Sequence, residues 1–274
     1  MDMASRVCFV VKKINLETYY KILNQAYKIF SLGDSAVTLD LGNDIREEMN
    51  CKVLAMQQWL LQNPFEGLKD VIVAYSSISI FYDPVIIKAK IPFTALAMDI
   101  ASEKLKLAYE QASGIDWHED KAFYRIPVCY DAFGFDLDSI SEKLGLSIAE
   151  IIHRHSARTY RVYMIGFLPG FSYLGQVDES LMLPRKTKPV QVFAGSIGIV
   201  GGQTGIYPLD CMGGWNIIGR TPYKLFDMSA EPPVLLKAGD QVQFYNISIN
   251  EFEALDGQGA RLIPEGNASI ARNV

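Results

Sequence analysis

GGQTGIYPLDCMGGWNIIGRTP, residues 201–222, sets a cluster of glycines beside two aromatic rings and a single arginine. Glycine within a strand adds no packing surface and loses the most backbone freedom on folding, so such a cluster marks tight bends or the close approach of another group. The stretch lies inside a longer region of one texture. From TYRVYMIG (159–166) to VQFYNIS (242–248) the segments are short, β-rich and separated by Gly, Pro and Asp turns, with no repeating helix between them. That pattern predicts an antiparallel barrel or sandwich and argues against a doubly wound sheet.

Upstream the period alternates. YKIFSLGDSAVTLDLG (27–42) reads as two strands around a Gly-Asp turn, and EEMNCKVLAMQQWLLQ (47–62) as a helix with Val53, Leu54, Met56, Trp59, Leu60 and Leu61 at helical spacing. LKDVIVAYSSISIFYDP (68–84) gives two more strands, broken near Ser76 and Ser77, and ALAMDIASEKLKLAYEQA (95–112) a second amphipathic helix. The alternation predicts an α+β domain of ferredoxin-like type over residues 26–115. SGIDWHED (113–120) reads as a linker, residues 1–25 as an N-terminal extension, and 120–274 as the mainly β domain. Within the latter, FYRIPVCYD is a strand, FDLDSISEKLG a helix stopping at Gly145, and LSIAEIIHRHSA a helix opened by the capping pair Ser147 and Glu150. A late helix is expected at INEFEALDGQG (249–259).

Composition excludes several functions. With 274 residues, 49% of them apolar, and a formal charge of -5, the chain supports a sizeable core but not the basic surface of a general nucleic-acid binder. No apolar run is long enough to span a bilayer, and the first residues lack a cleavage site, which predicts a cytoplasmic protein. Cys8, Cys51, Cys129 and Cys211 show neither metal-ligand nor disulfide spacing and read as free thiols. The middle of the acidic chain is nevertheless basic. Residues 157–226 carry Arg158, Arg161, Arg185, Lys186, Lys188, Arg220 and Lys224 against Asp178, Glu179 and Asp210, together with more than half of the 21 glycines. Such a region suits a carboxylate or phosphate better than a cation.

Four long motifs occur in order here: GFLPGFSYLG (166–175), LPRKTKP (183–189), FAGSIGIVGGQTGIYP (193–208) and GGWNIIGRTP (213–222). With IPVCYDAFGFDL and LGLSIAEIIHRHSA ahead of them, the chain resembles the family of 5-oxoprolinase B subunits, also called allophanate hydrolase subunit 1, over residues 26–250. Its members include a bacterial sporulation-kinase inhibitor. Two positions depart from the family pattern: Phe193 and Met212 stand where prolines are usual, a change in loop stiffness that removes no donor or charge. The resemblance implies a cyclophilin-like β-barrel after the small α/β domain. It implies one component of an ATP-dependent 5-oxoprolinase, which opens the lactam of 5-oxoproline to glutamate together with A and C subunits. The alternatives it carries are a non-catalytic inhibitor of a sensor histidine kinase and a component of an allophanate hydrolase or urea carboxylase. ATP with Mg would be shared with, or supplied by, a partner, because the chain has no GxxxxGK[ST] loop.

The resemblance also directs attention to particular residues. His155 matches the family's histidine, either as an acid/base group or as a structural helix-end histidine; His153, two positions away, points elsewhere on a helix, so no metal pair forms. Arg185 and Arg220 are the anion clamps, each offering a planar fork to a carboxylate or phosphate. These three make the catalytic set. Phe167, Pro169, Gly170, Phe171, Gln203, Thr204, Tyr207, Gly213, Gly214 and Trp215 make the substrate-binding set, with Gln203, Thr204 and Tyr207 as lactam hydrogen-bonding groups and Phe171 and Trp215 as pocket wall. GFSYLG is not GxSxG, so Ser172 is not a nucleophile.

Overall fold

The computed structural model describes residues 27–42, 45–92, 94–112, 121–256 and 262–265. The extension at 1–25, the linker at 113–120 and Cys8 lie outside them. The first unit opens with a hairpin of β1 (Lys28–Ser31) and β2 (Ala36–Asp40), then α1 (Glu47–Gln62), β3 (Leu68–Val73), β4 (Ser77–Tyr82), α2 (Pro84–Lys88) and α3 (Ala97–Ala112). Its sheet runs β1-β2-β4-β3 with antiparallel neighbours throughout. Strand alternation buries Ile78, Ile80 and Tyr82 on one face, where Val53, Leu54, Met56 and Leu60 of α1 meet them. The buried stripe of α3 is mostly alanine (Ala97, Ala101, Leu105, Ala108, Ala112), which lets its backbone come close to α1. Leu61 departs from the expected stripe and is exposed. The strand order also differs from the βαββαβ sequence of a ferredoxin-like domain: the edge strand beside β2 comes first in the chain, and a helix ends the unit.

The second unit contains β5 (Phe123–Val128), α4 (Leu137–Leu144), α5 (Ile148–Ser156), β6 (Thr159–Ile165), β7 (Ser172–Gly175), β8 (Val190–Val192), β9 (Ser196–Val200), β10 (Gln203–Ile206), β11 (Cys211–Gly213), β12 (Asn216–Arg220), β13 (Gln241–Asn246) and α6 (Ile249–Asp256). Seven strands form one curled sheet in the order β12-β9-β10-β7-β6-β13-β5, and β8 with β11 makes a separate ribbon. All pairs are antiparallel except β13 with β5. The two edges of the sheet meet at a single bridge, where Cys129 N–H donates to Arg220 O at 2.9 Å and Arg220 N–H to Cys129 O at 3.1 Å. That closure encloses Val162, Leu174, Ile197, Ile199, Ile206, Ile218, Val242 and Phe244, and Ile140 of α4 and Ile151 of α5 join the same core. As expected, Gly145 ends α4 in the left-handed conformation at φ +66°, and Ser147 Oγ accepts from Glu150 N–H at 3.2 Å to start α5.

One buried amide joins the two units. Asn50 of α1 is fully buried; its Nδ2 donates to Tyr163 O at 2.9 Å and Tyr75 O at 3.2 Å, while its Oδ1 accepts from Arg161 Nε at 3.1 Å. Tyr75 stacks on Tyr163 at 5.4 Å and meets Tyr173 edge-on at 6.0 Å. The aromatic contacts thus run from the junction onto the outer face of β7.

Candidate functional site

Along β10, Thr204 and Ile206 turn inward, so Gly205 and the following Tyr207 face outward. The outer face explains the glycines. A Cβ on Gly205 would stand 2.9 Å from Trp215 Cζ3 and 3.2 Å from Phe171 Cζ, and one on Gly198 would stand 2.9 Å from Trp215 Cβ. On Gly213 it would meet Tyr207 Oη at 2.6 Å, and on Gly214 Arg185 Nε at 2.7 Å. The glycines of this stretch make room for the protein's own rings and for one guanidinium. Gly201 has a different task, turning the β9–β10 connection at φ +53°.

The rings so admitted form one cluster. Phe171 lies 4.7 Å from Tyr173, 5.0 Å from Tyr207, 5.4 Å from Trp215 and 5.7 Å from Phe167, mostly in edge-to-face contacts. Burial pushes the Tyr207 phenol up to about 12, an effect larger than the opposing pull of the Trp215 backbone N–H and of Arg185. Tyr207 is therefore a neutral hydroxyl at pH 7. Its oxygen accepts from the Trp215 backbone N–H, and the side chain is buried against Gly213.

Arg185 lies exposed across Gly214, close enough to act on both Tyr207 and Tyr173. Its neighbours hold the loop. Lys186 N–H donates to Gly214 O at 2.8 Å, and Lys186 Nζ pairs with Asp136 Oδ2 at 2.6 Å. Asn216 Nδ2 donates to Pro184 O at 3.0 Å and to Ile199 O at 3.1 Å. Among the described residues no carboxylate pairs with Arg185, so a tethered backbone presents an open guanidinium above a packed aromatic cluster in which Phe171, Tyr207 and Trp215 are themselves buried. Tyr173, Lys186, Asp136 and Asn216 were not among the residues expected from sequence. Asn216 carried a signal, an amide inside the apolar run WNIIG, and Lys186 stood next to Arg185 in its motif.

The other expected residues divide. Phe167 stands on the rim, 62% exposed, and Pro169 is exposed beside it, while Gly170 takes φ +83° against Leu225 and Phe226. Gln203 sits opposite Gly175 at the far end of β10, four positions from Tyr207 or roughly 13 Å along a strand. It does not join the cluster. His155 and Thr204 face the interior, where His155 Nδ1 meets Tyr130 Oη at 2.8 Å and Nε2 meets Thr204 Oγ1 at 2.9 Å. Thr204 spends its proton on Gly198 O at 3.2 Å, so it accepts from Nε2–H, and Nδ1 accepts from Tyr130. With no exposed surface and both nitrogens occupied, His155 has the geometry of a structural histidine; Thr204, fully buried in the same chain of hydrogen bonds, is closed to a ligand as well.

Arg220 is likewise engaged. Its Nε donates to Ala194 O at 2.8 Å, and its guanidinium lies 5.5 Å from the Phe133 ring and 5.7 Å from the Phe252 ring. It stands where the sheet edges meet, not beside Arg185. Arg220→Lys keeps the charge but loses the Nε donor and the planar contact, and is expected to cost about 1–2 kcal/mol, a Tm lower by roughly 3–6 °C. An unchanged melt would show that Arg220 does not hold the closure. A cavity of about 530 Å³ at the junction of the units is lined by Ile45, Arg46, Glu47, Glu48, Arg158, Thr159, Tyr163 and Gln176. It mixes both charges and contains no residue of the aromatic cluster.

Residues 27–236 match the family described as carboxyltransferase domain, subdomain C and D, which sets the class of the fold. A relative from Bacillus subtilis (strain 168), the B subunit of 5-oxoprolinase, is 37% identical over 236 residues, 83% of this chain and 96% of the relative. The chain belongs to the family of 5-oxoprolinase B subunits. The crystal structure of TTHA0988 is similar with a TM-score of 0.65 at 34% identity, over 78% of this chain but only 40% of that one. The urea amidolyase of K. lactis shares the fold with a TM-score of 0.71 at 16% identity, over 87% of this chain and 16% of that one. No described helix is long and apolar enough to cross a membrane.

Proposed function

We propose that this chain is the B subunit of a cytoplasmic ATP-dependent 5-oxoprolinase, working with the A and C subunits to convert 5-oxoproline, ATP and water to glutamate, ADP and phosphate. The curled sheet is then a cyclophilin-like barrel and the first unit a ferredoxin-like variant. The observation that carries the reading is the open guanidinium of Arg185 above the buried Phe171–Tyr207–Trp215 cluster. 5-Oxoproline is a small, nearly flat ring with one carboxylate and one lactam carbonyl. Arg185 holds the carboxylate through its planar fork beside the exposed Phe167 ring, while Phe171, Tyr207 and Trp215, at 7% exposure or less, form the packed support beneath it. Phe167, Pro169 and Gly170 shape the rim. In this reading ATP with Mg binds at a site shared with, or supplied by, a partner; among the described residues no group of three or more acidic, His or Cys side chains converges to hold a metal.

The reading is tested by following glutamate formation. The purified chain alone should turn over negligibly, and adding the A and C subunits should bring ATP-dependent activity. Robust turnover by the chain alone would end the shared-site reading. No turnover by the full set, with inhibition of a histidine kinase in its place, would favour the inhibitor.

A further inference from the structure

The three side chains expected to hydrogen-bond a lactam are all out of reach of one. Gln203 lies at the far end of β10, Thr204 is fully buried, and Tyr207 is buried with its oxygen already accepting from Trp215. Tyr173, in the GFSYLG motif, differs. It projects from the outer face of β7, opposite Gly205 of β10, and stays half-buried where its neighbours Phe171 and Trp215 are sealed. Its ring is fixed from three sides, 4.7 Å from Phe171, 5.8 Å from Trp215 and 6.0 Å from Tyr75, the last two in edge contacts. The hydroxyl is left free. Among the described residues Tyr173 Oη has no hydrogen-bond partner, and it is not one of the buried unpartnered side-chain atoms, which are Tyr75 Oη, Tyr82 Oη, Arg161 Nη2 and Ser172 Oγ. It therefore opens to solvent. Arg185 acts on this phenol through space, lowering it by less than burial raises it, so the hydroxyl keeps its proton at pH 7.

We infer that the Tyr173 hydroxyl donates to the lactam oxygen of 5-oxoproline while Arg185 holds the carboxylate, which makes Tyr173 the residue that selects a lactam over a plain ring acid; this rests on the reading of the chain as a 5-oxoprolinase subunit. The carboxylate and the lactam carbonyl flank the same ring nitrogen, so they call for a cation and a donor set close together. Arg185 and Tyr173 are such a pair. Amide resonance places negative charge on the lactam oxygen, and a protonated phenol has one hydrogen to offer it. Because Phe171, Trp215 and Tyr75 already hold the ring, little side-chain freedom is lost when the hydroxyl is engaged. Tyr75 belongs to the first unit, so both units set the position of the donor.

The test is calorimetric titration of the assembled three-component complex, without ATP, using two probes: 5-oxoproline, and cyclopentanecarboxylate, which has the ring and the carboxylate but no lactam carbonyl. Tyr173→Phe removes the oxygen and keeps the ring. It should bind 5-oxoproline about 5- to 10-fold more weakly, bind cyclopentanecarboxylate within about 2-fold of the unaltered complex, and melt unchanged. Arg185→Gln should weaken both probes. If Tyr173→Phe loses nothing, or loses equally on both probes while Arg185→Gln behaves as expected, Tyr173 is not the lactam donor and the enzyme reading stands. If the unaltered complex binds neither probe, or Arg185→Gln leaves both affinities unchanged, the Arg185 site fails and Tyr173 with it.

Discussion

Lowering the pH from 7 to 4 is expected to cost the fold about 3 kcal/mol through His155 alone. Burial without a charged partner lowers its imidazole to about 3, against about 6.5 in the unfolded chain. Above pH 6.5 the ring is neutral in both states and its contribution to stability is complete. Between 6.5 and 3 the unfolded chain takes up the proton and the folded one does not, so stability falls by about 1.4 kcal/mol per pH unit. The folded ring cannot accept the proton without breaking its bond from Tyr130 and charging a site stacked on Phe244 at 4.7 Å. Denaturant unfolding of the unaltered protein and of His155→Gln at pH 7, 5.5 and 4 isolates the effect. The variant should be the less stable at pH 7, where Tyr130 and Thr204 lose well-placed partners, and its disadvantage should shrink by about 3 kcal/mol at pH 4. Parallel pH profiles would mean that His155 is not held neutral in the core.

Local patterns carried much of the architecture. The alternation in SISIFY, the spacing in EEMNCKVLAMQQWLLQ and the Ser147–Glu150 cap each produced the expected element, because each is decided by neighbours within a turn or two of chain. A barrel or sandwich was expected, but where the sheet closes was not legible, since the Cys129–Arg220 bridge joins residues far apart in sequence and depends on how the whole sheet curls. The same limit governed the site. Chemistry alone made His155, Thr204 and Arg220 as attractive as Arg185 and Tyr207, and only the direction in which each strand faces separates them. His155 and Thr204 fall on the inner face and Arg220 at the seam, whereas Arg185 and Tyr207 meet outside. The glycines show the point most clearly: their clustering signalled close approach, but not that the approaching groups were Trp215, Tyr207, Phe171 and Arg185.

Arg185→Gln is expected to lower kcat/KM for 5-oxoproline in the reconstituted three-component complex by roughly 30- to 1000-fold, equivalent to about 2–4 kcal/mol of lost binding. The glutamine keeps a polar side chain, though a shorter one, and loses both the charge and the fork. Because the carboxylate does not change during ring opening, most of the loss should appear in KM. Arg185→Lys, with charge but no fork, should recover part of it. The melt should stay within about 1 °C, since Arg185 is exposed and the loop is held by Lys186, Asp136 and Asn216 instead. The measurement that bears most directly on the account is therefore steady-state kinetics of Arg185→Gln, with thermal melting and complex formation checked on the same preparation. A raised KM with an intact melt and an intact complex is the predicted result, and an unchanged kcat/KM in that intact complex would contradict it.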